Sequence, residues 1–278
     1  FRYDYGERAN RFSLRAAPNK FEILPDSRAA RRIGFSEVMA VQYGRNRVLA
    51  ALLGACLVYV CVLGVLRSGA REALGGAQDV CVVIDAGHGG EDGGTVSADG
   101  ALESEINLQI ALRARDLLTF CGVRTRMIRE TDTSVYSPGS GSVAEKKRSD
   151  LQNRVRAVNE TPGALLLSIH QNFFPQTKYH GAQVFYAPTE GSDALAARVQ
   201  ELLRSAVEPE NGRKCKPAES VYLMQNIACT GLWVECGFLS NAQEAARLQE
   251  DGWQKKLTTA ICGALCGYLA EEGNANEV

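Results

Sequence analysis

The sequence predicts an α/β fold, a three-layer αβα domain around a mixed, mostly parallel sheet of about six strands. From residue 79 onward, short apolar runs rich in β-branched residues alternate with longer segments of helical periodicity. No internal repeat interrupts this alternation, and no other segment is long enough for a second domain of this size. Residues 79–271 are therefore predicted to form one domain, followed by a short tail at 272–278.

Each strand is predicted from a short apolar run, and each helix from apolar residues that recur at helical spacing. The predicted strands are Val80–Asp85, Val123–Arg129, Ala164–His170, Gln183–Ala187, Ser220–Leu223 and Leu232–Glu235. The predicted helices are Ser104–Cys121, Glu145–Asn159, Ser192–Val207, Ala242–Gln249 and Trp253–Leu269. Ser192 and Asn241 are suited to be N-caps, because their side-chain oxygens can accept hydrogen bonds from first-turn N–H groups.

Three segments are predicted before this domain. Residues 1–47 form a disordered or basic cytoplasmic segment, in which 1–38 fit a region upstream of a start at Met39. An apolar run follows at 48–66, and a polar, glycine-rich linker at 67–78.

The apolar run "VLAALLGACLVYVCVLGVL" carries no charge over 19 residues. In a helix it would span roughly 28 Å, close to the hydrocarbon thickness of a bilayer. Arg45 and Arg47 precede it and favour an N-terminus kept in the cytoplasm, which places the following domain outside. A retained anchor is favoured over a cleaved signal peptide, because no small-residue cleavage site closes the run. A lipoprotein box ending at Cys56 is disfavoured, because ten more apolar residues follow it.

Charge and cysteine content exclude several classes of function. Lys and Arg number 31 against 32 Asp and Glu, so no basic excess favours a nucleic-acid partner. Two of the nine cysteines lie in the apolar run, and the remaining seven form no CxxC pair. Neither a disulfide framework nor a four-cysteine zinc site is indicated.

Two of the three histidines follow or close predicted strands. His88 lies in "VVIDAGHGGEDGG" and His170 ends "ALLLSIH", so both can face the crevice at the carboxyl ends of the strands. Imidazole nitrogens and a carboxylate are donors that zinc takes in catalytic sites. Glu103, in a first helical turn, and Glu235, which follows the apolar "LWV", are the candidate carboxylates. Burial of Glu235 without a partner would be costly, which indicates a metal or proton-transfer role.

Other kinds of active site are disfavoured by the sequence. The glycines around His88 match neither GxGxxG nor the Walker P-loop, which argues against a nucleotide site. No GxSxG elbow supports a serine hydrolase. Cys236 has no basic neighbour in sequence that would activate it as a nucleophile, so it is expected to be a buried core thiol.

The domain resembles the zinc-dependent N-acetylmuramoyl-L-alanine amidases of the type-3 class over about residues 80–269. The resemblance rests on "VVIDAGHGGEDGG", "LESEINLQIALRARDLL", "RMIRETD", "RSDLQNRVRAVNE", "LLLSIHQN", "GAQVFYAP" and "LWVECGFLSNAQEAARLQ". Within the class it is most similar to the germination-related spore-cortex amidases of endospore-forming bacteria. Gln171 departs from the small or apolar residue usual at its position, and Thr230–Gly231 replace a proline-containing turn.

The resemblance implies a peptidoglycan hydrolase that cleaves the amide bond between the lactyl group of N-acetylmuramic acid and L-alanine. His88, Glu103 and His170 are implied to be the ligands of Zn²⁺, and Glu235 to be the general base. His180 matches no ligand of the family. Two other functions stay open, a zinc peptidase acting on stem peptides and a non-catalytic wall-binding or regulatory module. A need for an activating lipoprotein also stays open.

Overall fold

The structure is a computed structural model that describes residues 52, 54–60, 62–63 and 80–275. The predicted segments 1–47 and 67–78 lie outside the described residues. Within the apolar run, the described residues 52, 54–60 and 62–63 are helical. No helix formed by the described residues combines the length and apolar character needed to cross a membrane.

From residue 80 onward, strands and helices alternate along the chain. The strands are β1 (Cys81–Ala86), β2 (Arg124–Met127), β3 (Ala164–Asn172), β4 (Gln183–Tyr186), β5 (Lys216–Pro217) and β6 (Gly231–Phe238). The helices are α1 (Glu103–Phe120), α2 (Val143–Asn159), α3 (Ser192–Leu202), α4 (Tyr222–Asn226), α5 (Ala242–Leu248) and α6 (Asp251–Ala275).

The six strands form one mixed sheet in the order β2-β1-β3-β6-β4-β5. The pairs β1·β2, β1·β3, β3·β6 and β4·β5 are parallel, and β4·β6 is antiparallel. The predicted αβα domain around a mixed, mostly parallel sheet is therefore confirmed.

Apolar side chains cover both faces of the sheet, which explains why β1 and β3 are continuous apolar runs. Val82 and Ile84 of β1 join one buried cluster, with residues of α1, α3 and α6. Val83, between them, joins a second cluster on the opposite face, with residues of α2 and α4. Because successive side chains of a strand point to opposite faces, these two clusters are the two interfaces of a three-layer domain.

The sequence-based prediction of the fifth strand is wrong. Ser220–Leu223 is not a strand, since α4 begins at Tyr222 and the fifth strand is only Lys216–Pro217. The apolar run "VYL" is too short for periodicity to distinguish a buried helix from a strand.

The beginning and the end of α3 also differ from the prediction. Gly191, with φ of 75°, is the N-cap, and Ser192 instead uses its hydroxyl to accept a hydrogen bond from the Gly231 N–H at 2.9 Å. After Leu202 the chain continues as a π-helical turn, Leu203–Val207. Asn241 is confirmed as an N-cap, because its side chain accepts from the N–H groups of Gln243 and Glu244.

Candidate metal centre

Three of the residues selected from the sequence meet at the carboxyl ends of β1 and β3. His88 follows β1, His170 lies near the end of β3, and Glu103 is the first residue of α1. One ligand-capable atom from each of the three lies within 4.8 Å of the others. The Glu103 Oε1 atom is 3.0 Å from His170 Nδ1 and 3.3 Å from His88 Nε2. Two imidazoles and one carboxylate thus form a cluster that could hold a metal ion.

Hydrogen bonds fix the carboxylate of Glu103 in place. Its Oε2 accepts from the Thr95 backbone N–H at 2.9 Å, and its Oε1 accepts from the Gln171 backbone N–H at 3.1 Å. The Asn107 side-chain amide also donates to Oε1, at 3.3 Å. Although burial alone would raise the pKa of Glu103, its bonds to the two histidines hold that pKa well below its usual range. The group is therefore an anion before any cation binds.

Gln171, which stands where the family usually has a small or apolar residue, helps to hold the Glu103 carboxylate. The Gln171 side-chain amide is buried and donates to Asn107 Oδ1 at 3.1 Å. Asn107 in turn donates to Glu103 and to the Gly87 carbonyl. Gln171 therefore orients an amide that holds both the carboxylate and the loop before His88.

The two histidines have different electrostatic surroundings. The Nδ1 atom of His88 lies 3.0 Å from Asp92 Oδ2. Burial opposes protonation of His88, but the nearby carboxylates of Asp92 and Glu103 outweigh that cost and raise its pKa to about 9. His170 is fully buried, and burial lowers its pKa, so its imidazole is neutral at pH 7. Before a cation binds, the proton of the cluster therefore resides on His88.

Two glycines of the motif around His88 leave room for the cluster. A Cβ atom on Gly87 would lie 2.0 Å from Cε1 and 2.2 Å from Nε2 of His170. A Cβ atom on Gly94, whose φ is +69°, would lie 2.6 Å from Glu103 Oε2 and 2.8 Å from His88 Cδ2. Both positions thus exclude a larger side chain because the candidate ligands occupy the space.

Two buried arginines, which the sequence did not reveal as site residues, hold the backbone that carries His88. His88 itself has φ of 61°, an unusual conformation for a residue other than glycine. Arg154 donates to the carbonyls of His88 and Ala86 at 2.9 and 3.0 Å. Arg129 donates to the carbonyls of Ala86 and Gly87 at 2.8 and 3.0 Å. The only signal in the sequence is that Arg129 lies in "RMIRETD" and Arg154 in "RSDLQNRVRAVNE", two of the motifs on which the resemblance rests. Contacts between segments so far apart in the chain cannot be predicted from the spacing of residues within one segment.

Glu235 lies beside the cluster, on β6. It is paired in register with His170 of β3, and residues paired in this way point to the same face of a sheet. Burial, the largest influence, raises the pKa of Glu235 to about 7. Its Oε1 accepts from the Trp233 indole N–H at 2.7 Å. Its Oε2 is buried and has no hydrogen-bond partner among the residues that the structure describes.

An acid with a pKa near 7 and a free buried oxygen can accept or give a proton at neutral pH. A cleft of about 310 Å³ opens beside the two histidines, lined among others by His88, His170, Tyr222 and Trp233. A substrate can therefore approach the cluster from this cleft, on the side where the Trp233 indole donates to Glu235.

The remaining sequence candidates lie apart from this chemistry. His180 is exposed in a loop, where its carbonyl accepts a hydrogen bond from Arg213. Cys236 is buried, and burial raises the pKa of its thiol well above the usual range, so it is not a nucleophile.

Comparison with known proteins adds a family and a set of solved structures. Residues 82–266 match the Amidase_3 family, described as N-acetylmuramoyl-L-alanine amidase. The chain is 36% identical over 197 residues to the germination-specific N-acetylmuramoyl-L-alanine amidase of Bacillus subtilis, covering 70% of this chain and 82% of that protein.

Two solved structures share the fold and a substantial fraction of the sequence. The CwlD amidase from Clostridioides difficile, solved in complex with the GerS lipoprotein, matches with a TM-score of 0.67 and 34% identity. That match covers 69% of this chain and 99% of the CwlD chain. An N-acetylmuramoyl-L-alanine amidase from Clostridium difficile 630 matches with a TM-score of 0.60 and 27% identity, covering 68% of this chain and 96% of that one.

Proposed function

The chain belongs to the Amidase_3 family of N-acetylmuramoyl-L-alanine amidases, and from this membership we propose how its residues cleave the bond. It is a peptidoglycan amidase, and the bond it cleaves joins the lactyl group of N-acetylmuramic acid to L-alanine of the stem peptide. The proposal rests on one observation, the grouping of His88, Glu103 and His170 within 4.8 Å beside Glu235.

We propose that the cluster holds Zn²⁺ through His88, Glu103 and His170. The donor set supports this assignment, because two imidazoles and one carboxylate leave a fourth position free in a catalytic zinc site. The anionic Glu103 and the neutral His170 are already in the protonation states that ligands require. When bound, zinc supplies a Lewis acid that acidifies water and polarises a carbonyl group.

The protein residues then carry the proton transfers. Glu235, through its free Oε2, accepts a proton from the water that attacks the amide carbon. It then passes this proton to the nitrogen of L-alanine, which leaves as an amine. Asp92, whose carboxylate oxygen lies 3.0 Å from His88 Nδ1, would be the carboxylate that orients this ligand imidazole.

The separate roles of Glu235 and His88 are tested by two variants of the purified chain, assayed for zinc content and for peptide release from peptidoglycan. Glu235→Gln is expected to bind zinc as the parent does and to lose about 10²- to 10⁴-fold in turnover. His88→Ala is expected to lose the metal together with the activity. Glu105→Gln, an exposed position on α1, is the matched control and should match the parent in both assays. Equal loss of zinc in the Glu235 and His88 variants would contradict the assignment of Glu235 as the base.

We propose further that the enzyme acts on spore-cortex peptidoglycan, outside the cytoplasm. The similarity to a germination-specific amidase supports this role, and the apolar segment 48–66 supports attachment to a membrane. A lipoprotein partner is proposed by extension from the relative solved with GerS. A strain that lacks the protein should form cortex with little muramic lactam, as measured by mass spectrometry of digested spores. Normal muramic lactam content would remove the cortex role while leaving the amidase activity in place.

A further inference from the structure

Trp233 contacts both halves of the site, although it is neither a candidate metal ligand nor the candidate general base. Its indole ring stacks on the His170 imidazole, with ring centroids 3.4 Å apart and an interplanar angle of 12°. Its N–H donates to Glu235 Oε1 at 2.7 Å. One side chain thus touches a candidate zinc ligand and the candidate base.

The strand geometry produces both contacts. Trp233 and Glu235 are two residues apart on β6, so their side chains point to the same face of the sheet. Glu235 is paired with His170 and Trp233 with Ser168, which makes Trp233 a diagonal neighbour of His170 across β3 and β6. Aromatic side chains are long enough to reach such diagonal neighbours.

Core packing alone does not account for this tryptophan. Trp233 is only partly buried, and it lines the cleft next to the cluster. An indole N–H that is removed from water needs an acceptor, and the acceptor here is Glu235, whose other carboxylate oxygen has no partner among the described residues. An aliphatic residue could fill the same space against the second buried cluster, but it could neither hold the carboxylate nor stack on the imidazole.

We propose that Trp233 is a positioning residue, which holds Glu235 through its N–H and the His170 ring through its face. The bond leaves Oε2 of Glu235 as the oxygen that meets the water, and the stack restrains rotation of the His170 ring. The inference rests on the proposed roles of His170 and Glu235.

Two variants of the full chain separate the two contacts. Trp233→Phe keeps a ring against His170 but has no N–H, so zinc affinity should stay within about threefold of the parent. Its kcat should fall about 10- to 100-fold with KM unchanged, as expected for the loss of a hydrogen bond to a charged group. Trp233→Leu removes both contacts and should also weaken zinc binding, about tenfold, as the loss of a ligand's supporting partner typically does.

Tryptophan fluorescence gives a readout that needs neither catalysis nor a change at position 233. The chain has two tryptophans, and Trp253 lies on α6 against Arg247 and Lys256. In a Trp253→Phe chain the emission comes from Trp233 alone, and it should change in intensity as Zn²⁺ is added, with the same midpoint as zinc binding measured by chelator competition. In the Trp233→Phe chain, the Trp253 emission should stay constant during the same titration.

The outcomes divide cleanly. Zinc that binds without altering Trp233 emission, or a Trp233→Phe chain that folds and keeps the parent kcat, would overturn the proposal. The proposal is supported if Trp233→Phe binds zinc nearly as tightly as the parent and more tightly than Trp233→Leu, while both variants have a lowered kcat. If the parent chain itself neither binds zinc nor releases peptide, it is the proposed function that fails.

Discussion

Replacement of Gly87 by alanine tests whether close packing positions His170. The new Cβ atom would lie 2.0, 2.2 and 2.6 Å from Cε1, Nε2 and Nδ1 of His170, whereas carbon atoms in contact lie about 3.5 Å apart. The imidazole would therefore have to move by about 1.5 Å. It already stacks on Trp233 at 3.4 Å, which limits where it can go.

The consequence should fall mainly on metal binding. Ligand positions in a metal site are held to within about 0.2 Å, and a displacement of about 1 Å at a reacting group can cost on the order of 100-fold in rate. The Gly87→Ala chain should therefore bind zinc at least about tenfold more weakly and lose on the order of 100-fold in turnover. Crowding of the buried ring should lower the free energy of unfolding by about 1–3 kcal/mol.

Zinc affinity would be measured by competition with a chelator, and turnover by peptide release at saturating zinc. Gly263→Ala on α6 is the matched control, because a Cβ atom there meets nothing within 4 Å. That control should keep full activity, and its free energy of unfolding should rise by up to about 1 kcal/mol, because alanine favours a helix. A Gly87→Ala chain with the zinc affinity and turnover of the parent would refute the packing argument.

Three further outcomes are expected. Before it can bind His88, zinc must displace the proton of that imidazole, whose pKa is about 9. The apparent zinc affinity should therefore rise about tenfold per pH unit up to about pH 9 and level off above it. Calorimetry in buffers of different ionisation enthalpy measures both the affinity and the release of this proton. Glu235 must be ionised to act as a base, so kcat/KM should rise with pH up to a plateau above about pH 7, and a profile without this acidic limb would contradict the role of Glu235. Arg154→Gln leaves the buried Asp85 without its cation, so it should lower the free energy of unfolding by about 3–5 kcal/mol in a denaturant titration. The control Arg156→Gln, at an exposed position of the same helix, should change the free energy of unfolding by less than about 0.5 kcal/mol.

The parts of the fold that the sequence predicted well are those with a strong local signal. β1 and β3 are continuous apolar runs because both faces of the sheet are covered, and their ends place His88 and His170 at one edge. β5 could not be found, because two residues of an edge strand, Lys216 and Pro217, carry no periodicity. The N-cap of α3 was missed because Gly191 takes a left-handed conformation, while the hydroxyl of Ser192 bonds to distant Gly231.

The candidate site divides in the same way. His88 and His170 stand out at the ends of predicted strands, and Glu235 stands out because a carboxylate is costly to bury without a partner. Glu103 alone is indistinguishable from an ordinary glutamate in a first helical turn, and only the family resemblance identifies it as a ligand. The residues that support these four do not stand out, because the bond from Arg154 to the His88 carbonyl joins residues 66 positions apart. Such contacts depend on how helices and strands pack and not on the spacing of residues along one segment.

The most direct measurement of the central claim is the identification of the products that the full chain releases from peptidoglycan. The purified protein would be incubated with peptidoglycan and, separately, with stem peptides that lack muramic acid, after treatment with a chelator and with or without re-added zinc. Mass spectrometry should find peptides that begin with a free L-alanine, together with peptide-free muramic acid, only when zinc is restored. Cleavage within the free stem peptides, or release that persists without zinc, would contradict the account.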